Sequence, residues 1–258
     1  MHFVDAHLHT EGLSVYDLRQ MALMGVRTVV TFFKPYYRVS GTDSYVDLIE
    51  RFIRVEKNRV ESTGIKTYLA IGISYAAGIR DPFPLVEKLE DYLKFDFVVA
   101  IGEAGLSDFN DALQVEILKI QMELSRKFGK PIFVDLPEGN KKYAFKRVEK
   151  LVNEVGLDPS LVVLNEVTPL LVLDLSDKPY WFCFSLFPDR PFVETLPENI
   201  LRGDFPMDRV LLTSNLDAFT DNPTLLPETL YDLEVGGHYL PMIERLMRDN
   251  PARLFKLS

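Results

Sequence analysis

The sequence holds one cysteine, one tryptophan and four histidines in 258 residues. A lone thiol cannot close an intramolecular disulfide, so a disulfide-framework fold is excluded. Cys183 sits in the apolar run Tyr180-Trp181-Phe182-Cys183-Phe184, where it reads as a small buried hydrophobe in a reducing cytoplasm. No run of about 18 uncharged apolar residues occurs, and no basic segment precedes an apolar stretch at Met1-His2-Phe3-Val4-Asp5, so neither a membrane span nor secretion is expected. Runs of Lys and Arg are also missing. With 29 basic against 38 acidic residues and a net charge of −9, duplex binding driven by counterion release is not expected. The partner to expect is a small-molecule or oligonucleotide substrate, with no extended duplex-binding surface and no membrane. Only three glutamines beside abundant Glu, Lys and Arg point faintly to a heat-adapted source.

What is present is a globular composition, 47% hydrophobic and 26% charged, in a length that one barrel domain can fill from residue 1 to 258. Short apolar runs alternate with longer amphipathic ones. Eight runs read as strands: Phe3 to His7, Val26 to Phe33, Lys66 to Ile73, Phe97 to Gly102, Pro131 to Leu136, Leu161 to Val167, Tyr180 to Leu186 and Arg209 to Ser214. They are rich in Val, Ile and Phe and bounded by Gly, Pro or Asp. Helical stretches lie between them at Ser14 to Met24, Tyr45 to Ser62, Pro84 to Phe95, Ala112 to Phe128 and Tyr143 to Val155, with Gly25, Gly64, Gly129 and Gly156 at C′ positions. Near-continuously apolar strands imply a parallel sheet covered on both faces. Eight such units predict a (β/α)₈ TIM barrel, with a doubly wound open sheet as the alternative.

A barrel gathers its catalytic groups at the C-terminal ends of its strands. At the first of these, Asp5-Ala6-His7-Leu8-His9 alternates polar with apolar, which sets Asp5, His7 and His9 on one face. Two imidazoles about 7 Å apart along a strand suit one divalent metal. The bland alternative is a solvated edge strand with two idle histidines. The fourth strand ends Ile101-Gly102-Glu103-Ala104-Gly105-Leu106, where a carboxylate after a fully apolar run needs a positive partner. Asp135 closes the fifth strand, Glu166 the sixth, and Asn215 with Asp217 follows the eighth; each alone reads as a cap or turn residue. Lys34, Tyr36, Arg38, Arg80, Lys141 and Lys142 follow strands two, three and five and could hold a phosphate, though solvated loop charge is the more ordinary explanation. His2 and His238 lack a strand-end context. Trp181, Phe182, Phe184 and Phe187 read as barrel packing, since no basic residues interleave them.

Together these residues resemble the TatD-like branch of the metal-dependent hydrolases, with an amidohydrolase-type barrel. The resemblance rests on Asp5-Ala6-His7-Leu8-His9, Gly102-Glu103-Ala104-Gly105-Leu106, Lys127-Phe128-Gly129-Lys130-Pro131-Ile132, Leu211-Leu212 and Asn250-Pro251-Ala252-Arg253-Leu254-Phe255. It implies one or two divalent metals held by paired histidines, a bridging glutamate, a histidine after each of strands five and six, and an aspartate after strand eight. In this chain those positions are His7, His9, Glu103, Asp135, Glu166 and Asn215. It further implies hydrolysis of phosphodiester or related bonds by metal-activated water.

Three of the six positions depart from that pattern. Asp135 and Glu166 stand where histidines are implied, and Asn215 stands where the aspartate is, with Asp217 two residues on. An amide in place of the last carboxylate removes a group that bears on the attacking water. Oxygen ligands in place of imidazoles favour harder ions, Mn²⁺, Mg²⁺ or Fe²⁺ over tightly held Zn²⁺. A catalytically degenerate barrel with a binding or scaffold role is the alternative reading.

Overall fold

The computed structural model describes residues 2–79, 81–137, 139–186, 205–219, 222–235 and 240–257. Arg80, Phe187 and His238 lie outside them. Eight strands, β1 (Phe3–Leu8), β2 (Val26–Phe32), β3 (Lys66–Ala70), β4 (Val98–Gly105), β5 (Ile132–Asp135), β6 (Val162–Asn165), β7 (Trp181–Ser185) and β8 (Val210–Thr213), form one sheet in chain order. Every neighbouring pair from β1 to β8 is parallel. The seam between β8 and β1 is tied by Asn215 N donating to His7 O at 3.0 Å and His9 N donating to Leu216 O at 2.7 Å. The sheet is a (β/α)₈ barrel, as the alternation of the sequence predicts.

Helix ends follow local chemistry. Helix α1 (Val15–Leu23) opens with a Ser14/Asp17 capping box. Asp111 accepts from Leu113 N and Gln114 N ahead of Ala112–Phe128, and that helix stops at Gly129 with φ 63, a left-handed cap that glycine adopts without penalty. The stretch expected as one helix from 45 to 62 is α2 (Thr42–Arg51), a π turn over Phe52–Glu56 and α3 (Lys57–Glu61). The apolar pattern alone does not register the inserted turn.

Two apolar layers result. Residues from every strand, among them Phe32, Ala70, Ala100, Phe133, Val163, Cys183 and Leu211, cluster with Leu254 and Phe255 as the barrel interior. The larger cluster packs helices against the outside of the sheet. Phe255 stacks on Phe133 with centroids 5.8 Å apart, and Asn250 Nδ2 donates to Met207 O and Val210 O. The C-terminal helix (Asn250–Phe255) therefore plugs the base, and the strands' other ends are left to build a site. Trp181, Phe182 and Phe184 are buried in this packing, whereas His2 is exposed.

Candidate metal centre

Three donors converge at the open end of the barrel. His9 Nε2 lies 2.9 Å and His7 Nε2 3.3 Å from the same oxygen, Oε1 of Glu103. Both Nε2 atoms are buried, and neither makes a hydrogen bond. His9 Nδ1 lies 3.0 Å from Phe32 O, which places the proton on Nδ1 and turns the Nε2 lone pair to the centre. The His7 ring rests edge-on against Phe32, 4.2 Å between centroids, and faces Phe133. Burial lowers the His7 pKa, so its imidazole stays neutral as a ligand must. Burial alone would raise Glu103; the imidazoles of His9 and His7 and the Lys34 ammonium outweigh it and hold the carboxyl well below its usual range. Among the described residues this is the group of three whose ligand atoms all lie within 4.8 Å of one another. Two imidazole nitrogens and one carboxylate oxygen, converging in a buried group, fit a divalent cation.

The elements around the group explain its placement. A Cβ on Gly102, whose φ is +155, would meet the Phe32 ring at 2.8 Å, so only glycine lets β4 bring Glu103 this close to β2. A Cβ on Gly12 would meet the Ala218 backbone at 2.3 Å, which holds the turn after His9 against the loop after β8. Beneath the site, Asp5 Oδ1 accepts from Ser214 N at 3.1 Å, and burial raises the Asp5 carboxyl to about 6.

Glu103 opens onto a cavity of about 350 Å³ whose walls include Lys34, Ser74, Tyr75, Asp135, Glu166 and Asn215. Asp135 and Glu166 share this cavity with Glu103 but are not part of the close three-donor group. Asn165 Nδ2 donates to Asp135 Oδ1 at 2.8 Å. Burial, reinforced by the charges of Glu103 and Glu166, raises the Asp135 carboxyl well above the usual range. Asn215 reaches the wall from a left-handed turn with φ 54, and Glu166 from one with φ 55. Asp217 is not among the wall residues; its Oδ1 accepts from Phe219 N at 2.8 Å.

Among the described residues, Lys34 alone of the expected basic residues lines this cavity, with Nζ 3.7 Å from Glu103 Oε2. Lys141 donates to Leu136 O and Lys142 pairs with Asp174, while Arg38 lies against Gly78, beside a different cavity. Tyr36 packs edge-on against Phe219, 6.2 Å between centroids. Sequence reasoning missed Asn165, Ser74 and Tyr75. Asn165 was accessible in principle, since it ends β6 in register with Asp135. Ser74 and Tyr75 were not, because their place depends on distant contacts: Ser74 N donates to the Tyr45 hydroxyl, and Gln121 brackets Ile73 N and O.

No family profile matches the chain. An uncharacterized metal-dependent hydrolase of Methanocaldococcus jannaschii is 30% identical over 234 residues, which is 90% of this chain and 92% of that one. The TatD-like protein of Archaeoglobus fulgidus superposes with a TM-score of 0.80 at 22% identity, over 99% of this chain and 100% of that chain. The phosphotriesterase homology protein of Escherichia coli, solved with phosphate in its active site, gives a TM-score of 0.72 at 16% identity, over 98% of each chain. The TatD homologue YJJV of Escherichia coli gives 0.69 at 16%, over 99% of this chain and 98% of that one.

Proposed function

Because the chain belongs to the metal-dependent hydrolases and shares its fold with TatD-like proteins, we propose that it hydrolyses phosphodiester or related ester bonds with a divalent cation held by His7, His9 and Glu103. The observation that carries this reading is the convergence of two unbonded imidazole nitrogens on one ionised carboxylate oxygen. A divalent cation bound there supplies a water of lowered pKa and polarises the phosphoryl oxygen. The chain's own groups do the rest. Asn215, tethered through its backbone N–H to His7 O, can orient the attacking water by its side-chain oxygen but cannot take a proton. Glu166 on the same wall offers a carboxylate for that proton. Asp135, whose carboxyl burial pushes well above the usual range, is the group on this wall suited to give a proton to the leaving oxygen. Two imidazoles and one carboxylate, with no sulfur donor among them, favour Mn²⁺, Mg²⁺ or Fe²⁺ over a closed zinc site. Buried Cys183 fits a reducing cytoplasm.

A binding role without turnover is the second reading. It is favoured by Asn215 standing where an acid is implied, with Asp217 committed to Phe219 N. Chelated protein resupplied with Mn²⁺, Mg²⁺, Fe²⁺ or Zn²⁺ should cleave a single-stranded oligonucleotide or bis(p-nitrophenyl) phosphate in a metal-dependent way, and His9→Ala should not. Metal uptake without turnover would favour the second reading; no uptake would remove the first.

A further inference from the structure

The two oxygens of Glu103 face different charges. Oε1 is turned to both imidazoles, and Oε2 lies 3.7 Å from Lys34 Nζ. In a two-ion centre that second oxygen is the one a bridging carboxylate presents to the second cation. Donors for such an ion are not assembled: among the described residues no other three ligand-bearing side chains have their atoms within 4.8 Å of one another, and Asp135 Oδ1 is engaged by Asn165. Lys34, two residues beyond the end of β2, supplies a cation there instead. Its side chain is one-third exposed (34%), and it lines the cavity as the one cation among the described wall residues. A divalent ion at the same oxygen would meet the ammonium at close range, where like charges repel strongly in a partly desolvated site. An ammonium carries three donors on a compact head, so Lys34 can pair with Glu103 Oε2 and still reach an anionic oxygen in the cavity.

We propose that Lys34 takes the role of a second cation: the centre works with one metal ion, and the Lys34 ammonium binds the anionic oxygen of the substrate beside it. This rests on the metal-dependent reading above. The test uses the full chain, stripped and reloaded with Mn²⁺, with inorganic phosphate as the probe. Titration calorimetry and elemental analysis should give one equivalent of Mn²⁺ in the natural protein and in Lys34→Met. Phosphate should bind the Mn²⁺-loaded Lys34→Met protein roughly tenfold more weakly, the scale of one lost charge-assisted pair, and Lys34→Arg should recover most of that loss. Thermal melting confirms that each variant is folded. Two equivalents of Mn²⁺ in the natural protein would overturn the proposal, and so would equal phosphate affinity in Lys34→Met or no phosphate binding in the natural protein. Zero equivalents would strike the hydrolase reading itself, an outcome distinct from two.

Discussion

Cys183 and His7 both lie inside the barrel, and each ties a chemical property to its packing. The Cys183 thiol is fully buried, lies 3.5 Å from the Thr213 hydroxyl, and is pushed by burial up to about 12. Its ordinary value is 9.0, so between pH 9 and about 12 the unfolded chain releases a proton that the folded chain keeps. Stability from this group is complete below that window and falls as pH rises through it. Ellman's reagent at pH 8 should therefore leave the folded protein unmodified and react at once in denaturant; rapid reaction without denaturant would contradict this burial. His7 was legible as a ligand from strand alternation, and the structure adds a packing role: it has no exposed surface and rests on Phe32 and Phe133. His7→Ala should lose bound metal and also about 2 to 3 kcal/mol of stability in urea titration, the cost of a cavity between two rings. A variant that melts like the natural protein would refute the packing role, and one that keeps its metal would refute the ligand role.

At the scale of elements, the turn after β1 is held from outside the barrel. Arg59 in α3 donates to the carbonyls of Thr10 and Leu13 and pairs with Glu56 at 2.6 Å. Glu56 is 1% exposed and closes the π turn that splits the expected helix. The helix-period pattern of residues 45 to 62 gave no sign of that turn, because a single inserted residue leaves the amphipathic stripe nearly intact on either side. Removing one partner of a buried pair strands the other's charge. Arg59→Met should cost about 3 kcal/mol, and Glu56→Gln with Arg59→Met should cost less than Arg59→Met alone. Parallel urea titrations of the natural protein, Glu56→Gln, Arg59→Met and the double variant decide this; a double variant at the full sum of the single losses would mean that the two residues act independently. Arg59→Met should also weaken Mn²⁺ binding, since His9 immediately precedes the turn that Arg59 clamps.

Over the whole molecule, the barrel was the most legible feature, because each of eight apolar runs had to pair with its neighbours and be covered on both faces. Observed strands fall within one to three residues of the expected ends, as in Val98–Gly105 against Phe97 to Gly102. The close donor group was legible at or just beyond strand ends, at His7, His9 and Glu103, and Asp135, Glu166 and Asn215 were legible as neighbours on the same cavity wall. Beyond the strand ends, positive-φ turns at Glu166 and Asn215 and the Asn165 contact to Asp135 depend on how separate loops meet, which no local period encodes. The same closure links the site to global stability. His7 comes from β1, His9 from the position just after it and Glu103 from β4, so a cation held between them binds the folded barrel and not the open chain. At a hundredfold excess over its Kd, such a ligand adds about 2.7 kcal/mol, which for a chain of this size is a rise of about 5 to 10 °C in Tm. Chelated protein should show this rise with Mn²⁺ at pH 7.5. Acidification should shrink it, because protons compete for the imidazoles. His9→Ala should abolish it, whereas Asp217→Asn, which alters a residue outside the cavity wall, should leave it intact. An equal rise in His9→Ala would place the ion elsewhere on the molecule and remove the basis for reading these three residues as its site.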